Sequence, residues 1–337
     1  MNDIIRDEKV GIVIRRTPSG WVLMYKEKEV YSFDPNKRPR RLFTSGRSFR
    51  RGTDHRTFEV YQPGSRESNT VVRELTDKEK RALYEELLKR LKHIISILGD
   101  TKKFEDDHCV NSARDFFSFV YNRNIIDDWE ADYERFHSIY KAISILPPDR
   151  YRALVIQVCE GCPWNRCTFC KLFTDRNFRQ RTLEEVKKHA RSIKEFFKDG
   201  LNYYQSIFLA DANTLVMKTE NLLKIILWLK DFFSDYPLLN RFDSFVDIRS
   251  GYKKSLEELK TLKEAGMKRI YIGVETGAEE LREFLNKSGK NEEVIEFIKN
   301  SHLAGLEISA IFMVGVGGDK YSLVHIEKTI KLLKQIK

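Results

Sequence analysis

From about residue 150 to the end, the chain alternates strand-like and helix-like segments. That alternation restricts its fold more than any other feature. "RALVIQVC" reads as a buried strand, and "TLEEVKKHARSIKEFFKDG" as a helix with a Thr182/Glu185 capping box and a closing Gly200. "YQSIFLA" and "FDSFVDI" are strands, each followed by a helix: "TENLLKIILWLKDFFSD" and then "SLEELKTLKEAG" with a Ser255/Glu258 box. "RIYIGVE" is a strand before two helices, "AEELREFLN" and "NEEVIEFIKNSHLAG". "EISAIFMVGV" and "LVHIEKTIKLLKQIK" complete a fifth unit. Five strand–helix units in a row predict an α/β fold of parallel strands with right-handed helical crossovers. Such strands build an open doubly wound sheet or a barrel, and both place their chemistry at the carboxyl ends of the strands. "LADAN", "DIRSG", "VETG" and "VGVGG" follow four of the strands and are expected on that face.

The pattern changes at "SILPPDRY", where Pro147 and Pro148 cannot continue a helix. This predicts an N-terminal accessory region over 1–147 and a core domain over 148–337. In the first region, "KVGIVIRR" and "WVLMYK" are strands around a Pro/Gly turn, and "EKEVYSF" is a third. "TDKEKRALYEELLKRLKHIISIL" is a helix opened by a Thr76/Glu79 capping box. "VNSARDFFSFVYN" and "DDWEADYERFHSIYKAISIL" are two more helices, giving an α+β region. Cys109 and His108 lack partners at ligand spacing and are expected to be structural.

The other four cysteines stand in "CEGCPWNRCTFC", Cys159 to Cys170, directly after the first strand of the core. In a reducing compartment, cysteines so clustered bind metal or do redox chemistry. Two metal readings arise from the spacing C-x2-C-x4-C-x2-C. Four thiolates could close a tetrahedral zinc site, although paired knuckles usually stand about fifteen to twenty residues apart. Alternatively, Cys162, Cys167 and Cys170 hold an iron–sulfur cluster and leave one iron without a protein ligand, the kind of open position that catalytic metals keep.

The segment "GCPWNRCTFC" resembles the cluster loop of radical S-adenosylmethionine (radical SAM) enzymes, in particular stand-alone members related to coproporphyrinogen oxidase-like sequences. That family's usual spacing is C-x3-C-x2-C with an aromatic before the last cysteine. Here the first gap is one residue longer, because of Trp164, and Phe169 holds the aromatic place. The resemblance covers residues 150–337. It implies a [4Fe–4S] cluster on Cys162, Cys167 and Cys170, with Cys159 a bystander, and reductive cleavage of SAM to a 5′-deoxyadenosyl radical that abstracts hydrogen from a substrate. It also implies SAM contacts from Phe169, from the backbone around Ala210, and from Asp211, Arg249, Glu275, Gly315 and Gly317. "FLADAN" departs from the family's Gly-Gly-Glu-like segment by lacking both glycines and the glutamate. The implied fold is a partial (βα)6-type TIM barrel. Only five units are visible, so a C-terminally truncated core, or a partner covering the open sheet edge, is expected.

The substrate, small molecule or macromolecule, is not encoded in any motif. An electron donor such as flavodoxin or ferredoxin is implied by the resemblance. The alternative is a nucleic-acid-binding protein with a structural zinc or Fe–S centre. It rests on the basic loop "KRPRRLFTSGRSFRRGTDHR", eight Lys or Arg with one Asp. RNA has no other support, because the net charge of +10 is otherwise spread along the chain. No apolar run is long enough to span a membrane, and "MNDIIRDEKV" does not read as a signal peptide. A cytoplasmic location is therefore expected.

Overall fold

The computed structural model describes residues 4–17, 20–52, 54–61, 70–99, 107–123, 125–143 and 145–336. The chain forms two compact units, residues 1–140 with 195–203 and residues 141–194 with 204–337.

In the first unit, strands β1 (Ile4–Asp7), β2 (Ile12–Thr17), β3 (Gly20–Tyr25), β4 (Glu29–Phe33), β5 (Pro39–Thr44), β6 (Arg47–Arg51), β7 (Thr57–Tyr61) and β8 (Val71–Glu74) make one antiparallel sheet in chain order. The three expected strands are β2 to β4. Pro18 and Ser19 of the expected turn lie outside the described residues. One face of the sheet alternates into the core through Ile12, Ile14, Leu23, Tyr31, Leu42 and Phe49. It packs on helices α1 (Asp77–Leu98) and α2 (Asp107–Asn122) through Leu87, Leu91, Phe116 and Phe117. The Thr76/Glu79 capping box opens α1 as expected. Helix α3 (Ile125–Ile139) is shorter than its apolar spacing suggested. The chain leaves it because the backbone of Lys141 bonds instead to the Gln157 side chain, at 3.1 and 3.2 Å.

The basic stretch at 37–56 is not a loop. It is the β5–β6 hairpin and its flanks, and much of its charge is consumed within the unit. Arg38 and Arg51 pair with buried Asp132 at 2.7 and 3.5 Å, Arg47 pairs with Glu59 at 2.6 Å, and Arg56 pairs with Asp54 at 2.6 Å. Arg38 and Arg51 are thus held inside the unit, and nothing in the structure favours the nucleic-acid alternative.

The second unit carries β9 (Ala153–Gln157), β10 (Cys159–Glu160), β11 (Arg179–Gln180), most of α4 (Leu183–Phe197, whose residues from Glu195 are grouped with the first unit), β12 (Ser206–Ala210), α5 (Thr219–Phe232), β13 (Phe242–Asp247), α6 (Ile248–Tyr252), α7 (Leu256–Ala265), β14 (Met267–Glu275), α8 (Glu279–Phe284), α9 (Asn291–Leu303), β15 (Glu307–Phe312) and α10 (Gly318–Gln335). Strands β9, β12, β13, β14 and β15 form a parallel sheet in that order. Each strand lies beside its predecessor. A doubly wound sheet would reverse direction at a switch point, and this one does not, so it is the partial TIM-barrel arrangement. Ile156, Ile207, Leu209, Ile270 and Ile272 are fully buried. The other strand face gathers Phe208, Phe245 and Tyr271, with ring centroids 5.0 to 6.0 Å apart.

An ionic floor closes this inner face at the amino ends of the strands. Arg150 pairs with fully buried Asp243 at 2.7 Å. Asp149 accepts from Tyr271 and pairs with Arg269, both at 2.8 Å, and Arg269 also reaches Glu307 at 2.6 Å. The cysteine loop lies at the opposite, carboxyl ends, directly after β9. Among the described residues β15 pairs only with β14.

Candidate cluster and cofactor site

The cysteine loop leaves the sheet just past β9 and returns 20 residues later. Its base is the two-residue ladder of β10 and β11, with Cys159 opposite Gln180 and Glu160 opposite Arg179. Buried Glu160 accepts from Arg179 at 2.6 Å and Arg181 at 3.1 Å. Burial alone would raise its carboxyl pKa, but the two guanidiniums hold it below the ordinary value. Cys159 thus belongs to the ladder rather than to β9. It is completely buried, and its Sγ lies 3.8 Å from the Asn213 carbonyl. Burial pushes its thiol up to about 12, so in the metal-free chain it is protonated at neutral pH.

Cys162, Cys167 and Cys170 are only partly buried. Asn165, at φ 44°, turns the chain so that its N–H donates to Cys162 Sγ at 3.4 Å, and its side chain donates to the Phe173 carbonyl at 3.0 Å. The Cys170 N–H donates to the Cys167 carbonyl at 3.1 Å, closing the second turn. Across the mouth, Trp164 Nε1 donates to the Asn286 carbonyl at 2.7 Å, and the Thr168 N–H donates to that of Leu285 at 3.0 Å. The loop is therefore moored to the segment after α8 as well as at its own base.

This mooring brings Glu275 and Lys287 to the cysteines. Cys167 is pushed up by burial, pulled down by Lys287, and pushed up by Cys162, Cys170 and Glu275, so each of these four groups lies within electrostatic reach of Cys167. Lys287 Nζ and Glu275 Oε1 are 3.5 Å apart, and both side chains are nearly buried. The pair folds over Gly273, where a Cβ would meet Glu275 Oε1 at 2.8 Å and Lys287 Nζ at 3.1 Å. Glu275 adopts φ 65° at the end of β14, the left-handed region that favours glycine. No motif signalled Lys287. Its distance along the chain from Glu275 has meaning only once α8 has been folded back.

The other expected site residues are placed as follows. Phe169 is on the loop and 37% exposed. Ala210 ends β12, and its carbonyl accepts from the Val158 N–H at 2.7 Å. Asp211 is buried under the loop. Arg249 does not end the third strand: β13 stops at Asp247, which caps α6 by accepting from the Ser250 N–H at 2.8 Å, and Arg249 is an exposed residue of that short helix. Gly315 and Gly317, at φ 74° and 88°, make the turn into α10.

The donor set fits an iron–sulfur cluster. Cys162, Cys167 and Cys170 are partly buried thiols on one loop, a donor set of the kind that holds such clusters.

A family model described as the radical SAM superfamily matches residues 156–333. Two curated relatives match. One is an "uncharacterized methyltransferase" of Pyrococcus horikoshii, 24% identical over 57% of this chain and 40% of its own length. The other is the 4′-phospho-dehydrooxetanocin synthase of Priestia megaterium, 27% identical over 55% of this chain and 27% of its own length. The chain thus spans less than half the length of either. Among solved structures, the cobalamin-dependent S-adenosylmethionine radical enzyme OxsB matches with a TM-score of 0.41 and 22% identity, over 55% of this chain and 27% of that one. The radical S-adenosylmethionine methyltransferase TsrM of Kitasatospora setae matches with a TM-score of 0.41 and 18% identity, over 58% and 39%. No described helix is long and apolar enough to cross a membrane.

Proposed function

The chain belongs to the radical SAM superfamily, and from that premise we propose that Cys162, Cys167 and Cys170 hold a [4Fe–4S] cluster whose remaining iron takes SAM. When bound, such a cluster supplies one electron to the sulfonium of SAM, giving methionine and a 5′-deoxyadenosyl radical that takes hydrogen from the substrate. The observation that carries this reading is three half-buried thiols at the carboxyl end of a singly wound parallel sheet, beside a lysine–carboxylate pair.

That pair suits a zwitterion. Lys287 presents an ammonium to the methionine carboxylate of SAM, and Glu275 presents a carboxylate to its amino group. In the ligand-free chain they neutralise each other, so neither charge is buried alone. Gly273 leaves room beneath them that a side chain would fill. The Ala210 carbonyl retains a second lone pair for SAM, Gly315 and Gly317 expose backbone, and Phe169 shields the cluster. Arg249, exposed and close in sequence to Asp247, is a contact for an anionic group at the mouth. A one-electron donor such as flavodoxin or ferredoxin completes the system. Substrate and product are left open, and what the relatives act on is not transferred to this chain.

Anaerobic reconstitution, followed by iron, sulfide and zinc analysis and then reduction with SAM, tests the proposal. Formation of 5′-deoxyadenosine is expected. Stoichiometric zinc without SAM cleavage would overturn it.

A further inference from the structure

The carboxylate after β12, for which the resemblance implied a SAM contact, bonds to the cysteine loop. Asp211 is 5% exposed. Its Oδ2 accepts from the backbone N–H of Gly161, immediately before Cys162, at 3.1 Å. The same oxygen pairs with Nη1 of Arg176, beyond Cys170, at 3.4 Å. Its Oδ1 accepts from Nε2 of Gln157, the last residue of β9, at 3.1 Å. Its own backbone N–H donates to the Cys159 carbonyl at 3.2 Å. One residue therefore touches the strand that leads into the cysteine loop, the chain entering it and the chain leaving it.

We propose that Asp211 is a positioning residue for the cluster. Its carboxylate fixes the path into Cys162 and out of Cys170, so that three thiolates on separate turns are held at a common spacing. The proposal rests on the radical SAM reading of the loop. Two local facts make the carboxylate hard to replace. The Gly161 N–H is buried and must find an acceptor, and at φ 76° this glycine presses against Asn177, where a Cβ would stand 3.1 Å from the carbonyl oxygen. Arg176 is anchored on its other side by the Ala142 carbonyl at 3.0 Å, so it cannot follow a retreating partner without losing that bond. An ionised carboxylate accepts these bonds more strongly than a neutral group would. Three donors on its two oxygens and 5% exposure commit most of its accepting capacity to the loop.

The test compares the wild-type chain with Asp211→Ala, Asp211→Asn and Arg176→Ala after anaerobic reconstitution. Three quantities are read: the rate of iron loss to a chelator, the paramagnetic resonance spectrum of the reduced cluster with and without SAM, and the unfolding midpoint of the cluster-free chain. Groups that orient metal ligands typically cost 10–100-fold in metal affinity when lost. Asp211→Ala should therefore lose iron about 10-fold faster or more, Asp211→Asn less, and Arg176→Ala by a smaller factor. Clusters that survive should still change spectrum on SAM addition. The proposal is overturned if Asp211→Ala keeps iron as the wild type does, with its SAM response either lost or intact. It is also overturned if only the unfolding midpoint falls. Should Asp211→Ala fail to fold, wild-type iron loss in both Asp211→Asn and Arg176→Ala overturns it. A wild-type chain that takes up no iron and sulfide would instead sink the cluster reading itself, and this proposal with it.

Discussion

Replacing Arg282 should unsettle the mouth of the sheet more than any surface change. This arginine is 1% exposed and heads the largest fully buried side chains of the described residues. Nη1 donates to the Gly289 carbonyl at 3.0 Å, and Nη2 donates to the Thr276 carbonyl at 2.6 Å and Asn291 Oδ1 at 2.8 Å. It thereby ties the residue after Glu275 to the start of α9. Arg282→Ala leaves the buried Thr276 carbonyl without this donor, at about 1–3 kcal/mol, leaves the partly buried Gly289 carbonyl without it at a smaller cost, and removes a packed aliphatic stem as well. A total of about 3–5 kcal/mol follows from those contributions if the site relaxes partly. For a unit of this size, each kcal/mol lowers the midpoint by about 2–4 °C, so a drop of about 6–20 °C is expected. Far-ultraviolet circular dichroism of the cluster-free chain during heating measures it. Arg282→Lys keeps one donor group and should fall between. A drop of less than about 2 °C for the alanine variant would refute the reasoning, since it would mean that the two carbonyls find other donors.

Lys287→Ala should weaken SAM binding about 10-fold or more, the worth of one charged hydrogen bond, without lowering iron content; equilibrium titration of the reconstituted chain checks both. Iodoacetamide at pH 8 should label the three loop cysteines of the folded, cluster-free chain but not Cys159, and peptide mapping distinguishes them. Because the Cys159 thiol is raised from 9.0 to about 12, its contribution to stability should be intact below pH 9 and should erode as pH rises from there toward 12. On the acid side, burial alone would raise Glu307, but Lys268 and Arg269 hold it down at about 2. Its contribution is therefore present above pH 4.5 and lost as pH falls toward 2, and Glu307→Gln should flatten the unfolding midpoint over that window.

The parallel sheet was legible because each of its strands is a short apolar run bounded by an amphipathic helix, a pattern that survives without knowledge of long-range contacts. The capping boxes at Thr76, Thr182 and Ser255 were legible for the same reason, since each is a bond between residues three apart. Strands β5 and β6 were not. Their alternation is carried partly by arginines, and Arg51 faces inward because Asp132, far along the chain, meets it there. Helix α6 hid behind "FDSFVDI", whose apolar residues run on past the point where Asp247 caps a new helix. In the site, the cysteine spacing was local and readable. The roles of Lys287, Glu160 and Asp211 were not, because each depends on which distant chain segment the fold places beside it.

The central claim is that three cysteines of this loop are ligands and the fourth is a buried bystander. Iron and sulfide content, measured after anaerobic reconstitution of the wild type and of Cys159→Ser, Cys162→Ala, Cys167→Ala and Cys170→Ala, tests it most directly. The account predicts a full cluster in the wild type and in Cys159→Ser, and its loss in each of the other three. Loss of the cluster in Cys159→Ser, or its full retention when Cys162, Cys167 or Cys170 is removed, would contradict it.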